Sequence, residues 1–128
     1  MTLEQALRLT NRNMIGFDLI LGTSAILAPE MTLRVLGHEE PSPDAAKLFQ
    51  RCGPVWLTFA AAHAVAEIRD EPRDWWALAW LRGTEITTDA LWASSPAVSR
   101  PGGKAGLRLA GVANLAMAAG FAWLSKRK

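Results

Sequence analysis

The stretch Trp75–Trp92, WWALAWLRGTEITTDALW, decides the fold of this chain. It has the length and the tryptophan brackets of a membrane-spanning helix, yet Arg82, Glu85 and Asp89 interrupt its apolar middle. At about 100° per residue those three fall on one face, at roughly 0°, 300° and 340°. Ionisable groups at that depth are costly in hydrocarbon, so the stripe has to face protein or enclosed water. Other helices must supply the facing surface.

Three further apolar segments are available to do so. The first is polar at TLEQALRLTNRN, turns apolar at MIGFDLILGTSAILA and is closed by Pro29, which predicts a helix over 3–28. Arg8 and Arg12 ahead of the apolar run imitate a leader peptide, but Asp18 within it and Pro29 directly after it argue for a retained helix. A connector over 30–43 follows, in which Met31, Leu33, Val35 and Leu36 suit a short turn on a membrane surface. The second segment starts on Ser42, Pro43 and Asp44, residues suited to a helix N-cap, first turn and positive dipole end, and predicts a helix over 43–68. Pro54 inside it should kink the helix and free a carbonyl near Phe49–Gln50. A tight link at Asp70–Arg73 leads into the helix of the opening stretch, 72–93. After the loop SSPAVSRPGG comes a helix over 104–125, apolar or small on every face from Leu109 to Leu124. Such a helix lies within a large protein or in a membrane, and 128 residues make no large protein. The expected fold is therefore all-α, an antiparallel four-helix transmembrane bundle forming one domain over 1–128.

Composition bounds this reading. Half of the residues are apolar and 20% are charged, and the mean hydropathy of +0.09 is low for a membrane protein. A soluble four-helix bundle with a tryptophan-rich core is the competing reading. Trp75 and Trp92 lie about 26 Å apart at 1.5 Å per residue, near the hydrocarbon thickness, and Trp123 precedes the tail Lys126-Arg127-Lys128, as interfacial aromatics do. A net charge of +2, with no basic block interleaved with aromatics, argues against nucleic acid as a partner. The single Cys52 excludes an internal disulfide or a cysteine metal cluster and reads as a small buried hydrophobe. Basic residues divide almost evenly between the two sides; the tail points both termini towards the cytoplasm, as in a multi-pass protein of a cell inner membrane.

Antiparallel packing sorts the polar groups by depth. Arg12, His63, Glu67 and Arg82 fall towards the side of the termini, Asp18 and Glu85 near the middle, and Asp89 and Asn114 towards the far side. Arg82 can pair with Glu85 three residues on, and with Glu67 in a buried network; Glu85 and Asp89, one turn apart, repel. Two such carboxylates sharing one cation suit acid/base chemistry, which makes Glu85, Asp89 and Arg82 the candidate catalytic residues. Asp18, His63, Glu67, Asn114 and Arg12 are the candidate ligand-binding residues, and the bland alternative is an ion-pair network that only fixes helix register. Nothing in the helix of Asp18 neutralises it, so its partner has to come from another helix. His63 and Glu67 with other carboxylates make a poor metal-ligand set, and no metal or cofactor is expected. Gly106, Ala110, Asn114 and Ala118 form a row of small residues suited to close helix packing, with Asn114 bonding across helices. Hydrolase, phosphate-loop, zinc-protease and dinucleotide motifs are all missing.

Short elements of the chain resemble the small bacterial four-helix membrane proteins grouped around DoxX. These are LGTSAILAP at the end of the first helix, Leu36, Gly37 and Pro41 in the connector, Arg51 to Gly53 on the second helix, and Asp89 to Leu91 on the third. The resemblance implies a four-span membrane fold. DoxX itself is associated with membrane redox and quinone-linked processes, but there is no haem ligand pair or cysteine couple here to carry such chemistry. The expected partners are the lipid bilayer and a hydrophobic small molecule or a partner membrane protein. Three functions fit: binding of a small ligand, lipid or partner; a membrane enzyme using Glu85 and Asp89 on a hydrophobic substrate; or an accessory proton-conducting subunit.

Overall fold

A computed structural model describes residues 1–127; Lys128, the last residue of the basic tail, lies outside them. Five helices make up the fold, with no strand among the described residues: α1 Leu3–Leu27, α2 Pro29–Val35, α3 Pro43–Arg69, α4 Pro72–Ala93 and α5 Pro101–Lys126. The connector is thus more ordered than a surface turn. Pro29 ends α1 and opens α2, whose fixed backbone angle suits a first helical turn, and Leu33 is buried under it. The N-termini follow the sequence signals. Thr2 and Gln5 form a reciprocal capping box on α1, and the Ser42 side chain accepts from the Ala45 N–H at the start of α3. α3 remains helical through Pro54. Asp70 in the left-handed region (φ 52°) turns the chain from α3 into α4.

The bundle is built from two antiparallel pairs. α1 packs along α3, and α4 along α5; the two pairs touch each other much less extensively. Gly22 and Gly53 let α1 and α3 approach closely, since a Cβ on Gly22 would lie 2.8 Å from the Gly53 carbonyl oxygen. On α5, Asn114 does bond across to α4, but Gly106 does not perform this packing: a Cβ there would meet nothing within 4 Å. Small residues there leave space instead of closing it.

At the end that holds the chain termini, Ala66, Trp75, Leu78, Met117, Phe121 and Leu124 form one apolar cluster. At the other end Ala25, Leu33, Phe49 and Trp56 form a second, flanked by Ala93, Val98 and Leu107. Here the turn Gly37–His38 meets the loop before α5. His38 bridges to Val98, the Arg100 N–H donates to the Gly37 carbonyl at 3.2 Å, and Gly37 adopts φ 109°. A Cβ on Gly37 would also collide with Gly103, so space and backbone angle both require glycine.

Three sequence expectations change. Trp75 is fully buried and donates to Asp70 at 2.8 Å, and Trp92 is half-buried against His38, so neither lies in an outer belt; Trp76, Trp80 and Trp123 are the exposed ones. Cys52 is exposed, because its position on α3 points away from α1. Among the described residues only α5 is long and apolar enough to cross a membrane by length and composition alone, with a mean hydropathy of 1.4.

Candidate functional site, a cavity between two helix pairs

Between the apolar ends lies a polar layer. Asn11, Asp18, His63, Arg82, Asp89 and Asn114 are all buried. Asp18 and Asn11 are seven residues apart on α1, two turns along one face, so both point towards the other helices. The Asn11 side chain donates to the His63 carbonyl and to Glu67 Oε2, each at 3.1 Å, and its Oδ1 lies 2.6 Å from His63 Nδ1. Arg82 Nε donates to His63 Nε2 at 3.0 Å, and Arg82 Nη2 is ion-paired with Asp18 Oδ2. A guanidinium cannot accept, so His63 Nε2 has to, and the proton of the neutral ring sits on Nδ1, facing Asn11 Oδ1. Glu67 completes the row by accepting from Arg12 Nε at 2.6 Å, at the exposed edge of the bundle.

The pairing therefore differs from the sequence expectation. Arg82 bonds neither Glu85 nor Glu67; it reaches Asp18 on α1 and His63 on α3. Glu85 is near at i+3, but Asp18 is buried, and the cations of its own helix, Arg8 and Arg12, are paired with Asp70 and Glu67, so the guanidinium of Arg82 serves it. Asp89 is held from α5 instead, accepting from Asn114 Nδ2 at 2.8 Å. Glu85 has no ion pair or hydrogen bond among the described residues.

On the far side of this layer the two helix pairs enclose a cavity of about 420 Å³. Its polar wall is Asp18, Arg82, Glu85, Thr88, Asp89 and Asn114. Its apolar wall comes from Met14, Phe17 and Leu21 of α1, Trp56 of α3, Trp92 of α4, and the small-residue row of α5. Phe17 and Val35 line the cavity and are also exposed, at 55% and 78%, so its mouth opens on the side of the bundle where α1 and α2 face α5. The size falls within the ordinary range for small-molecule sites, and the predominance of apolar lining with a few convergent polar groups is typical of them.

Five of the eight candidate residues line this cavity: Arg82, Glu85, Asp89, Asp18 and Asn114. Arg12, Glu67 and His63 do not. They form a strut behind Arg82 that runs to the surface near the termini and holds the guanidinium in place. Asn11, central to the strut, is missing from the sequence reading, though its spacing from Asp18 is a usable signal. His38, which accepts from Trp92 Nε1 at 2.9 Å, had no such signal, because its partner is distant in sequence.

Two acceptors in this layer are unsatisfied. Asp18 Oδ1 and Asn114 Oδ1 are buried without a hydrogen-bond partner among the described residues. Each such group costs about 1–3 kcal/mol, which marks a place where a donor is missing. No cluster of three or more His, Cys, Asp or Glu side chains able to hold a metal occurs among the described residues. Set against known proteins, the chain matches no family model, no curated protein and no solved structure.

Proposed function

We propose that this chain is a multi-pass integral membrane protein whose four long helices cross the bilayer and whose cavity binds a small amphiphilic molecule. The observation that carries the reading is an inside-out distribution of polarity. Across 13–29, 52–66, 75–93 and 109–125, no charged side chain is exposed: Asp18, Arg82 and Asp89 are buried and Glu85 is half-buried. The outer surface of the same zone carries Phe17, Ile20, Val55, Trp76, Trp80, Leu91, Leu109, Val112 and Leu115, all exposed. A soluble bundle places its charges outside, whereas here the exposed polar groups of the zone are uncharged, Thr84, Thr87 and Thr88 among them. In a bilayer that surface meets lipid, and inward charges are the affordable arrangement.

The short motifs resembling the DoxX-like proteins support the same kind of fold, since Gly37, Gly53 and Asp89 each occupy a constrained position here: a positive-φ turn, the α1–α3 contact and the cavity wall. The test is extraction. After an alkaline carbonate wash the protein should stay with the membrane pellet; release into the supernatant would defeat the reading. Binding in the cavity is then tested by filling it. Ala110→Phe should abolish thermal stabilisation by any small molecule that stabilises the parent, and an unaffected response would place binding elsewhere.

A second reading draws on Glu85 and Asp89, which stand one turn apart on the cavity wall with no fixed partner on Glu85. They would move a proton to and from a hydrophobic substrate. It requires Glu85→Gln to remove an activity from a protein that still folds. Proton conduction is supported less. The hydrogen-bonded row from Arg12 to Asp18 passes through Asn11 and Arg82, neither of which exchanges protons readily near neutral pH.

A further inference from the structure

We propose that the ligand of this cavity enters with a cationic, hydrogen-bond-donating head, as an alkylamine does, and leaves its apolar tail towards the side opening at Phe17 and Val35. The inference rests on the cavity-binding reading above and adds the polarity of the ligand. The cavity wall holds three carboxylates, Asp18, Glu85 and Asp89, against one guanidinium, Arg82. Arg82 has already committed Nε to His63 and Nη2 to Asp18. Three other side-chain donors of the wall are also in use. Asn114 Nδ2 donates to Asp89, Thr88 Oγ1 to the Thr84 carbonyl and Trp92 Nε1 to His38. Arg82 Nη1 and the Trp56 indole N–H are left to donate.

Acceptors, by contrast, are in surplus. Among the described residues Asp18 Oδ1 and Asn114 Oδ1 are buried and unpartnered, and Glu85 makes no hydrogen bond or ion pair. Asp18 is 0% and Asn114 6% exposed, so bulk water does not serve them. An ammonium group brings three donors and one positive charge, which answers both deficits at once. A carboxylate head would meet three like charges. An alcohol would supply one donor and no charge. The wall beyond these groups, from Met14 and Phe17 to Ala110 and Ala113, offers an apolar lining for the tail.

The experiment compares hexylamine, hexanol and hexanoate, equal in chain length, on purified protein in a neutral detergent at neutral pH. Binding is read from tryptophan fluorescence, to which Trp56 and Trp92 in the cavity wall contribute, and from thermal stabilisation. Hexylamine should bind most tightly. Asp89→Asn and Glu85→Gln should each weaken it about tenfold, the loss expected for one charge-assisted contact, with little change for hexanol. Ala110→Phe, which keeps every carboxylate, should abolish binding of the amine and serves where a carboxylate variant fails to fold. If hexanol or hexanoate binds as tightly as hexylamine and Ala110→Phe still blocks it, the cationic head is wrong and the cavity reading stands. If Ala110→Phe changes nothing, or none of the three binds, both fall.

Discussion

Arg82 Nε donates to His63 Nε2 at 3.0 Å while Nη2 of the same guanidinium pairs with Asp18, so one cation joins α4 to α3 and to α1. Both charged partners are buried, at 3% and 1% side-chain exposure. Removing only the cation strands a carboxylate away from water. Arg82→Met should therefore destabilise the protein by about 3–5 kcal/mol, and adding Asp18→Asn in the same chain should recover much of it. Equilibrium unfolding of the two single variants and the double variant measures the coupling; an unaltered Arg82→Met protein would mean that the ion pair adds nothing.

The hydrogen bonds around His63 fix where its proton sits. Nitrogen-15 chemical shifts at neutral pH should show a protonated Nδ1 and an unprotonated Nε2, since Asn11 Oδ1 accepts on one side and Arg82 donates on the other. The opposite tautomer would mean that Arg82 does not face this ring.

The α1–α3 contact should be intolerant of a single methyl group. In Gly22→Ala the new Cβ would lie 2.8 Å from the Gly53 carbonyl oxygen and 2.9 Å from Leu57 Cδ2, and a backbone carbonyl cannot move aside as a side chain can. A loss of about 1–3 kcal/mol is expected from thermal unfolding. Gly106→Ala is the control: its Cβ enters open space, and the higher helix propensity of alanine should leave stability unchanged or slightly raised. Equal effects at both positions would contradict the packing described.

His38 gives the far end of the bundle a dependence on pH. Burial lowers its pKa below the ordinary 6.5, and its Nε2 must stay unprotonated to accept from Trp92. The unfolded chain thus takes up a proton at a higher pH than the folded one. The contribution of His38 to stability is complete above pH 6.5 and declines as the pH falls below it, until the folded chain is protonated as well. Melting curves between pH 8 and pH 5 should show a steeper loss for the parent than for His38→Gln, and parallel curves would remove His38 as the cause.

Much of the architecture was legible from local signals. Ser42-Pro43, the Asp70–Pro72 corner and the charged stripe of α4 place helix ends and orient one helix, because caps, prolines and periodicity act within a few residues. The choice of partners was not legible. Arg82 has Glu85 beside it in sequence yet pairs with Asp18, sixty-four residues away, and nothing local states which neighbouring helix will present a carboxylate at that height. The row of small residues on α5 was readable as a feature but not in its effect. Small side chains permit close packing or leave a void, and which occurs depends on the helix opposite. At Gly22 and Gly53 the backbones close up; at Gly106 and Ala110 they stand apart.

The two helix pairs are also the two halves of the chain, joined in sequence only at the Asp70 corner. Each pair is one leaf of the bundle, a sequence-local hairpin whose main contacts close within its own half of the chain. The leaves are joined towards the end of the termini by His63 of α3 and Phe121 of α5, ring centroids 5.8 Å apart, and by the Asp18–Arg82 link. Beyond that point they diverge around the cavity. At the other end the Trp92–His38 bond, the Phe49–Trp92 ring contact and the Arg100–Gly37 bond join them again. The cavity is thus a gap in a seam closed at both ends, and an occupant bows the leaves apart along their middle without freeing either end.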